Sequence, residues 1–449
     1  MSNNNFNLRL NHKIKSFKKT IEVDSDKSIS IRSFLISSIS NNISKVTNIL
    51  ESEDVLATIQ SLKKLGVKIK KVKSKNYLIF GKGLGSFFLK KGKYLNFGNS
   101  GTLARLLIGI LSTTPNIRVF IKGDHSLNKR SMKKLVLLMT KFGAEFLPKR
   151  KFYFPLELVS SSMPIGIKYE AGVSAQLKSA VILAGLNSYG ITEITEKNIS
   201  RNHTENMLLR NNKVIKINKI NDRKKIKIFG KKNLNSLNFK IPGDPSSAAF
   251  FSALTLLSKS SILKIKNVGL NPTRIGFYNL LKKHGAKIKF VNIKEVNNEK
   301  SGDIIVSTSK LKPIKADQGY YVNSTDEYPI LFVLASLLDG VSTFKGVSDL
   351  ANKESNRITE MCKILKQIGV RTSSTKSEVK IYGGGMINAS KKRIVVEKLG
   401  DHRICMSAFI LAILTGSKTT IKNFNTVYTS SPSFLKIMKR LKVKFEIQK

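Results

Sequence analysis

The chain has 449 residues, 41% of them hydrophobic, with ordinary Gly and Pro use, so it can bury two or three domain cores and is not a mostly disordered chain. Its 79 Lys and Arg against 29 Asp and Glu give a formal net charge of +50, which invites an anionic partner, nucleic acid first. Lys is scattered along the whole chain without a separate basic tail, a distribution that fits solvated faces and small anionic substrates better than a nucleic-acid surface.

Cys362 and Cys405 lie in apolar helical patterns without metal-ligand spacing, which argues against a disulfide framework or a zinc site and fits core thiols of a reducing compartment. The N-terminus is basic but has no apolar signal region, and no uncharged run approaches the roughly 18 residues of a membrane span. A soluble, cytoplasmic protein is expected.

In chain order, the first 20 residues hold a strand-like "FNLRL". From Asp26, "DKSISIRSFLISSI" begins with a residue suited to cap a helix and continues so apolar that most of the helix must be buried. An amphipathic, Lys-bearing helix follows and ends in "LKKLGVKI", where Gly66 suits the left-handed position that closes a helix. The same pair of signals returns at "NSGTLARLLIGIL" from Asn99 and "MTKFGAEF" at Gly143, with the strand "RVFIKG" and the polar loop "KGDHSLNKRSM" between them. A third copy runs from "SAQLKSAVILAGL" at Ser174 through the polar turn "ISRNHTENM" to "LLRNNKVIKI", with Lys213 near the glycine position.

"NFKIPGDP", near residue 240, marks a boundary. Beyond it come "DPSSAAFFSALTLL" from Asp244, the strand "SILKIKNV", "LLKKHGAKI" at Gly285 and the strand "GDIIVSTS". "DEYPILFVLASLL" from Asp326, "NKESNRI", "LKQIGVRT" at Gly369 and the strand "KRIVVEKL" follow. The last copy is "DHRICMSAFILAIL" from Asp401 and "MKRLKVKFEI", with Lys442 near the glycine position. The six buried-helix starts are 73, 75, 70, 82 and 75 residues apart, too long a period for a solenoid and suited to a compact α/β subdomain. The expectation is an α/β protein of two lobes with three repeats each: residues 21–240, and 241–449 with residues 1–20 pairing into the second.

Helix N-termini present unpaired N–H groups and partial positive charge, so several converging on one crevice make a site for phosphate or carboxylate. Lys27, Ser28, Arg32, Arg105, Ser174, Gln176, Lys353, Arg357 and Arg403 sit in or beside these junctions, and Arg130 and Arg201 in the two polar segments. Each alone reads equally as a cap, a solvated turn or a snorkelling cation; jointly they point to an anion site. Among few carboxylates, Asp326 and Glu354 are either helix-start groups or a pair that moves protons beside a bound anion, and His402 is a further proton donor or a helix-start hydrogen bonder.

"DKSISIR", "GNSGTLARLL", "GDHSLNKRSM", "SAQLKSAVILAGL", "SRNHTE", "PGDPSSAAFF", "DEYPILFVLAS", "KESNRI" and "DHRICM", in register from about residue 20 to 435, closely resemble the 5-enolpyruvylshikimate-3-phosphate (EPSP) synthase family. The variants "SAQ" and "SR.HTE" resemble the bacterial subgroup that includes glyphosate-tolerant members. The resemblance implies the two-domain enolpyruvyl transferase fold, an inside-out α/β barrel in which each domain is three βαβαββ units and the domains close on substrates. It implies transfer of the enolpyruvyl group of phosphoenolpyruvate to the 5-hydroxyl of shikimate 3-phosphate, releasing phosphate, on the route to chorismate and the aromatic amino acids. Neither a metal nor an organic cofactor is implied, and a monomer with no nucleic-acid or membrane partner is expected.

Carried over motif by motif, the resemblance puts Lys27, Ser28, Arg32, Ser174, Ala175, Gln176, Arg201, Asp326 and Lys353 on shikimate 3-phosphate. It puts Lys27, Gly101, Arg130, Gln176, Arg357 and Arg403 on phosphoenolpyruvate, with Asn99 shaping the loop. Asp326 is the expected base for the 5-hydroxyl, Glu354 and Lys27 are the candidates for protonating the methylene carbon, and His402 is a helper. Four positions depart from the pattern: Leu106 and Ser131 for proline, Asn202 for aspartate, and Thr429 for a lysine that other members place on phosphoenolpyruvate. Gly101 keeps the crowded position small, which favours glyphosate binding, whereas the subgroup resemblance points to tolerance. Two rivals stand beside this reading. One is the sister enolpyruvyl transferase acting on UDP-N-acetylglucosamine, whose mobile-loop cysteine is missing from "KGDHSLNKRSM"; the other is a basic nucleic-acid-binding protein.

Overall fold

The computed structural model describes residues 5–211, 213–384 and 392–448. The first four residues of the opening 1–20 segment, and residues 385–391 and 449 of the 241–449 span, lie outside the described residues. The chain divides into two compact units: Ser25–Ile241 with Val296–Glu299, and Met1–Asp24 with Pro242–Glu295 and Lys300–Lys449.

The unit that begins at Ser25 contains three four-stranded sheets of one design: a parallel pair, then two antiparallel additions. In one, Tyr94–Asn96 runs parallel to Arg118–Lys122, which pairs antiparallel with Leu156–Val159, and that with Glu145–Leu147. In the next, Lys168–Ala171 runs parallel to Ile191–Glu196, followed by Arg223–Phe229 and Ile215–Ile220. A parallel pair needs a crossover, and the helices Gly101–Ser112 and Ala175–Leu186 supply it. In the third sheet the strand parallel to Ile43–Thr47 is Asn238–Lys240, from the far end of the unit.

The other unit repeats the design with the crossover helices Tyr328–Ser336 and His402–Thr415. Here Lys18–Glu22 runs parallel to Ile262–Gly269, and Asn7–Leu10 lies antiparallel between Lys418–Ile421 and Glu446–Gln448. Two strands are therefore exchanged. Lys18–Glu22 precedes the helix Lys27–Ile39 but pairs with the strand after the helix Pro245–Leu257, while Asn238–Lys240 precedes Pro245–Leu257 but pairs with the strand after Lys27–Ile39. The chain passes from one unit to the other at both places.

The crossover helices form the two cores. All 14 residues of His402–Thr415 are buried, as are 12 of the 13 in Pro245–Leu257. At about 1.5–3 kcal/mol for each large apolar side chain removed from water, these helices contribute strongly to the stability of their units, together with strand residues such as Leu263, Ile304, Val119 and Leu158. Lys27–Ile39 buries several serines as well, and Ser33 and Ser38 donate back to the carbonyls of Ser30 and Phe34, which removes the cost of an unpaired hydroxyl. Gly109 permits close contact of its helix with Ala175–Leu186: a Cβ there would stand 2.5 Å from the Ala180 carbonyl oxygen.

Caps follow the sequence reading at Asp26, Ser174, Asp244 and Asp401, each accepting a backbone N–H of its helix. Two differ. Ser100 rather than Asn99 caps Gly101–Ser112, and Glu327 rather than Asp326 occupies the cap position of Tyr328–Ser336, without a side-chain cap bond. Gly66, Gly143, Gly285 and Gly369 close their helices at positive φ, and Lys442 does so at φ 63°. The polar loop expected at 122–132 contains a short helix, His125–Asn128, capped by Asp124, and the polar turn at 199–207 runs into the helix His203–Leu208. Among the described residues, no helix is long and apolar enough to cross a membrane.

Candidate active site

In the unit beginning at Ser25, the starts of three buried helices carry the sequence-identified groups. Lys27 and Ser28 open Lys27–Ile39; the Lys27 ammonium lies 2.9 Å from an Asp54 oxygen. Arg32, one turn on, is only 3% exposed. Its Nε donates to Thr204 Oγ1 (2.9 Å), Nη1 to the Ser28 carbonyl (3.0 Å) and Nη2 to Ser179 Oγ (3.2 Å). Arg32 thereby joins "KSISIR" to "SAQLKSAV" and to the segment bearing Arg201, which is itself half-buried.

The helix starts at Gly101 and Ala175 meet through side chains. Arg105 Nη1 donates both to the Gly101 carbonyl (3.0 Å) and to Gln176 Oε1 (2.9 Å), and Gln176 Nε2 donates to Thr102 Oγ1 (3.0 Å). Both ends of the Gln176 amide are thus fixed. Arg130 Nη2 donates to Asn99 Oδ1 and to Ser126 Oγ (3.2 Å), and Asn99 in turn donates to Asp124 (2.9 Å). A Cβ at Gly101 would lie 2.7 Å from Arg105 Nη1 and 3.3 Å from Arg130 Nη1, so glycine is what lets two guanidinium groups approach this helix N-terminus.

In the other unit, Asp326, Glu354, Arg357 and Arg403 come together around a residue the sequence reading treated only as a helix start, Asp401. The Arg357 side chain, 1% exposed, donates through Nε to Asp401 Oδ2 (2.9 Å) and through Nη2 to Glu354 Oε2 (2.6 Å). Its Nη1 lies 3.7 Å from Asp326 Oδ1, and the other Asp326 oxygen lies 3.8 Å from Arg403 Nη2. Burial alone would lower the Arg357 pKa, but Asp401, Glu354 and Asp326 outweigh it and raise the pKa further, so the guanidinium keeps its charge. Asp401 also caps its own helix through the Arg403 N–H and accepts from Ser355 Oγ (3.0 Å). His402 is buried beside it.

The Lys353 ammonium lies on Asp349 Oδ2, which also accepts from Tyr321 OH (3.1 Å). Burial first, then Asp349, raises the Tyr321 pKa, so the phenol stays protonated. Sequence reasoning missed Asp54, Asp349 and the counter-ion role of Asp401. Each is a short acidic side chain near a helix start, where capping is an equally good account, and no local pattern tells the two roles apart. Among the described residues, no group of three or more His, Cys, Asp or Glu side chains could hold a metal ion.

The family model for EPSP synthase (3-phosphoshikimate 1-carboxyvinyltransferase) matches residues 11–438. The chain belongs to the EPSP synthase family. The 3-phosphoshikimate 1-carboxyvinyltransferase of Zymomonas mobilis is 36% identical over 430 residues, covering 95% of this chain and 94% of that one. The protein of the same name from Thermodesulfovibrio yellowstonii is 37% identical over 436 residues, covering 96% and 99%. Among solved structures, EPSP synthase from Acinetobacter baumannii superposes with a TM-score of 0.84 at 32% identity, covering 99% of this chain and all of that one. The enolpyruvyl transferase NikO from Streptomyces tendae, 12% identical with a TM-score of 0.77, shares the fold. The two-domain enolpyruvyl transferase fold expected of an EPSP synthase family member is therefore the fold of this chain, and the repeated sheet design is its βαβαββ unit.

Proposed function

We propose that the chain transfers the enolpyruvyl group of phosphoenolpyruvate to the 5-hydroxyl of shikimate 3-phosphate, giving 5-enolpyruvylshikimate 3-phosphate and inorganic phosphate. Its relatives carry the name of that activity over nearly the whole chain. The observation that bears most directly on mechanism is the placing of Asp326 and Glu354 on one buried guanidinium, Arg357.

Two anionic substrates repel each other, so cations must offset the charge. In this reading Lys27, Ser28, Arg32, Ser174, Ala175, Gln176, Arg201 and Lys353 hold shikimate 3-phosphate, and Lys27, Gly101, Arg130, Gln176, Arg357 and Arg403 hold phosphoenolpyruvate. The helix N-termini at Gly101 and Ala175 add backbone N–H groups to the cations. Asp326, an exposed-side carboxylate steadied by two arginines, takes the 5-hydroxyl proton as the oxygen attacks C2 of phosphoenolpyruvate. The methylene carbon gains a proton from Glu354 or Lys27, giving a tetrahedral intermediate. Loss of the C3 proton and of phosphate then restores the enol double bond. Fixing the reacting atoms against each other supplies several kcal/mol of the barrier reduction, on the order of 7 at the low end of effective-molarity estimates.

Phosphate release from phosphoenolpyruvate, measured with shikimate 3-phosphate, with UDP-N-acetylglucosamine or with no acceptor, tests the assignment. Release is expected with shikimate 3-phosphate alone. Release dependent on UDP-N-acetylglucosamine instead would transfer the chain to the sister activity.

A further inference from the structure

Lys178 sits in the helix Ala175–Leu186, two residues beyond Gln176, and none of its side chain is exposed. Its ammonium contacts Glu196 Oε1 (2.9 Å) and Oε2 (3.1 Å), Glu205 Oε1 (2.8 Å) and the Ser200 carbonyl (3.2 Å). Both carboxylates are also fully buried, and Lys224, 3.6 Å from Glu205, brings the cluster to two positive and two negative charges. Lys224 is partly exposed, but burying the other three charges costs far more than burying aliphatic side chains of the same volume, and the surrounding helix is apolar. Such a cluster needs a reason other than stability.

Its geometry supplies one. Glu196 ends the strand Ile191–Glu196 and Glu205 lies in the helix His203–Leu208, so one ammonium ties together both ends of the segment 197–202 that carries Arg201. Glu196 Oε1 also accepts from Ser200 N (2.7 Å) and Ser200 Oγ (2.6 Å), fixing the residue next to Arg201. Thr204, at the far side, donates to Ser179 Oγ (2.8 Å) and accepts from Arg32. The segment is therefore pinned onto the helix whose first turn bears Ser174, Ala175 and Gln176.

We propose that Lys178 is a positioning residue: with Glu196 and Glu205 it holds the Arg201 segment against the start of helix Ala175–Leu186, setting the affinity for shikimate 3-phosphate without touching it. The inference rests on the assignment of Arg201 and Ser174 to that substrate. Titration calorimetry with shikimate 3-phosphate on the full chain tests it, using Lys178→Met, Ser200→Ala and, as a control on the assignment itself, Arg201→Ala. Lys178→Met that keeps the wild-type circular dichroism is expected to bind at least about tenfold more weakly while kcat at saturating substrate stays within about twofold, a split that general loss of structure does not produce. Ser200→Ala, which removes one hydrogen bond and no buried charge, is expected to weaken binding about fivefold and decides the matter if Lys178→Met does not fold. Wild-type affinity in a folded Lys178→Met, or in Ser200→Ala when it alone is available, overturns the proposal if Arg201→Ala has lost affinity. Wild-type affinity in Arg201→Ala overturns the substrate assignment, and the proposal with it.

Discussion

Glu354 Oε2 lies 2.6 Å from Arg357 Nη2, while the Nε of the same guanidinium is held by Asp401. Glu354 is 20% exposed and Asp401 fully buried, so one arginine joins a structural carboxylate to an accessible one. Glu354→Gln leaves the Arg357–Asp401 pair intact. Its melting temperature is expected to stay close to the wild type's, while kcat falls at least about 100-fold if Glu354 moves a proton. Arg357→Met is expected to lose stability as well, stranding the buried Asp401 carboxylate at a cost of about 3–5 kcal/mol, read by denaturant unfolding.

Asp326 lies between Arg357 and Arg403, at 3.7 and 3.8 Å. Asp326→Asn preserves its shape and removes its basicity. A fall in kcat of about 10²–10⁴ with little change in the shikimate 3-phosphate KM is expected; near-normal turnover removes Asp326 as the base.

Gly101→Ala puts a methyl group 2.7 Å from Arg105 Nη1 and 3.3 Å from Arg130 Nη1. Both are ends of flexible side chains, so the helix survives and Arg105 shifts from Gln176. Inhibition by glyphosate is expected to weaken more than the phosphoenolpyruvate KM rises, and equal changes in the two constants contradict this.

Burial alone would raise the Glu205 pKa, but Lys178 and Lys224 outweigh it and hold the pKa below its ordinary 4.5. A folded-state pKa below the unfolded one contributes stability that is fully present above about 4.5 and is lost as pH falls through the lower folded value. Melting temperature measured against pH should therefore fall on the acid side of 4.5, and Glu205→Gln should flatten that limb while lowering stability at neutral pH. An unchanged acid limb in Glu205→Gln contradicts the assignment of the shift.

Much of the architecture is legible in the sequence because it is local. Aspartate or serine before an apolar run marks a helix start, as at Asp26, Ser174, Asp244 and Asp401, and the spacing of such starts shows the repeats. At "NSG" two capping residues are adjacent; Ser100 takes the cap while the Asn99 side chain is engaged by Arg130 and Asp124. At "DEYP", Pro329 is tolerated only in the first turn, where its missing N–H has no partner to lose; the helix then begins at Tyr328 and leaves Asp326 outside it, available to the arginines.

Non-local features are not legible in this way. Spacing does not tell which strands Lys18–Glu22 and Asn238–Lys240 lie beside, Ile262–Gly269 and Ile43–Thr47 respectively. Nor does "SAQLKSAV" show that Lys178 points inward, because a lysine in an apolar helix reads as snorkelling until Glu196 and Glu205 are placed beside it. None of the four departures, at Leu106, Ser131, Asn202 and Thr429, replaces a residue proposed for proton transfer.

The most direct test of the account is nuclear magnetic resonance of equimolar shikimate 3-phosphate and phosphoenolpyruvate mixed with the purified protein. The account predicts inorganic phosphate and the vinyl protons of an enolpyruvyl ether at C5 in equal amounts, with neither formed when one substrate is omitted. Phosphate without the ether, or no reaction at all, would contradict it.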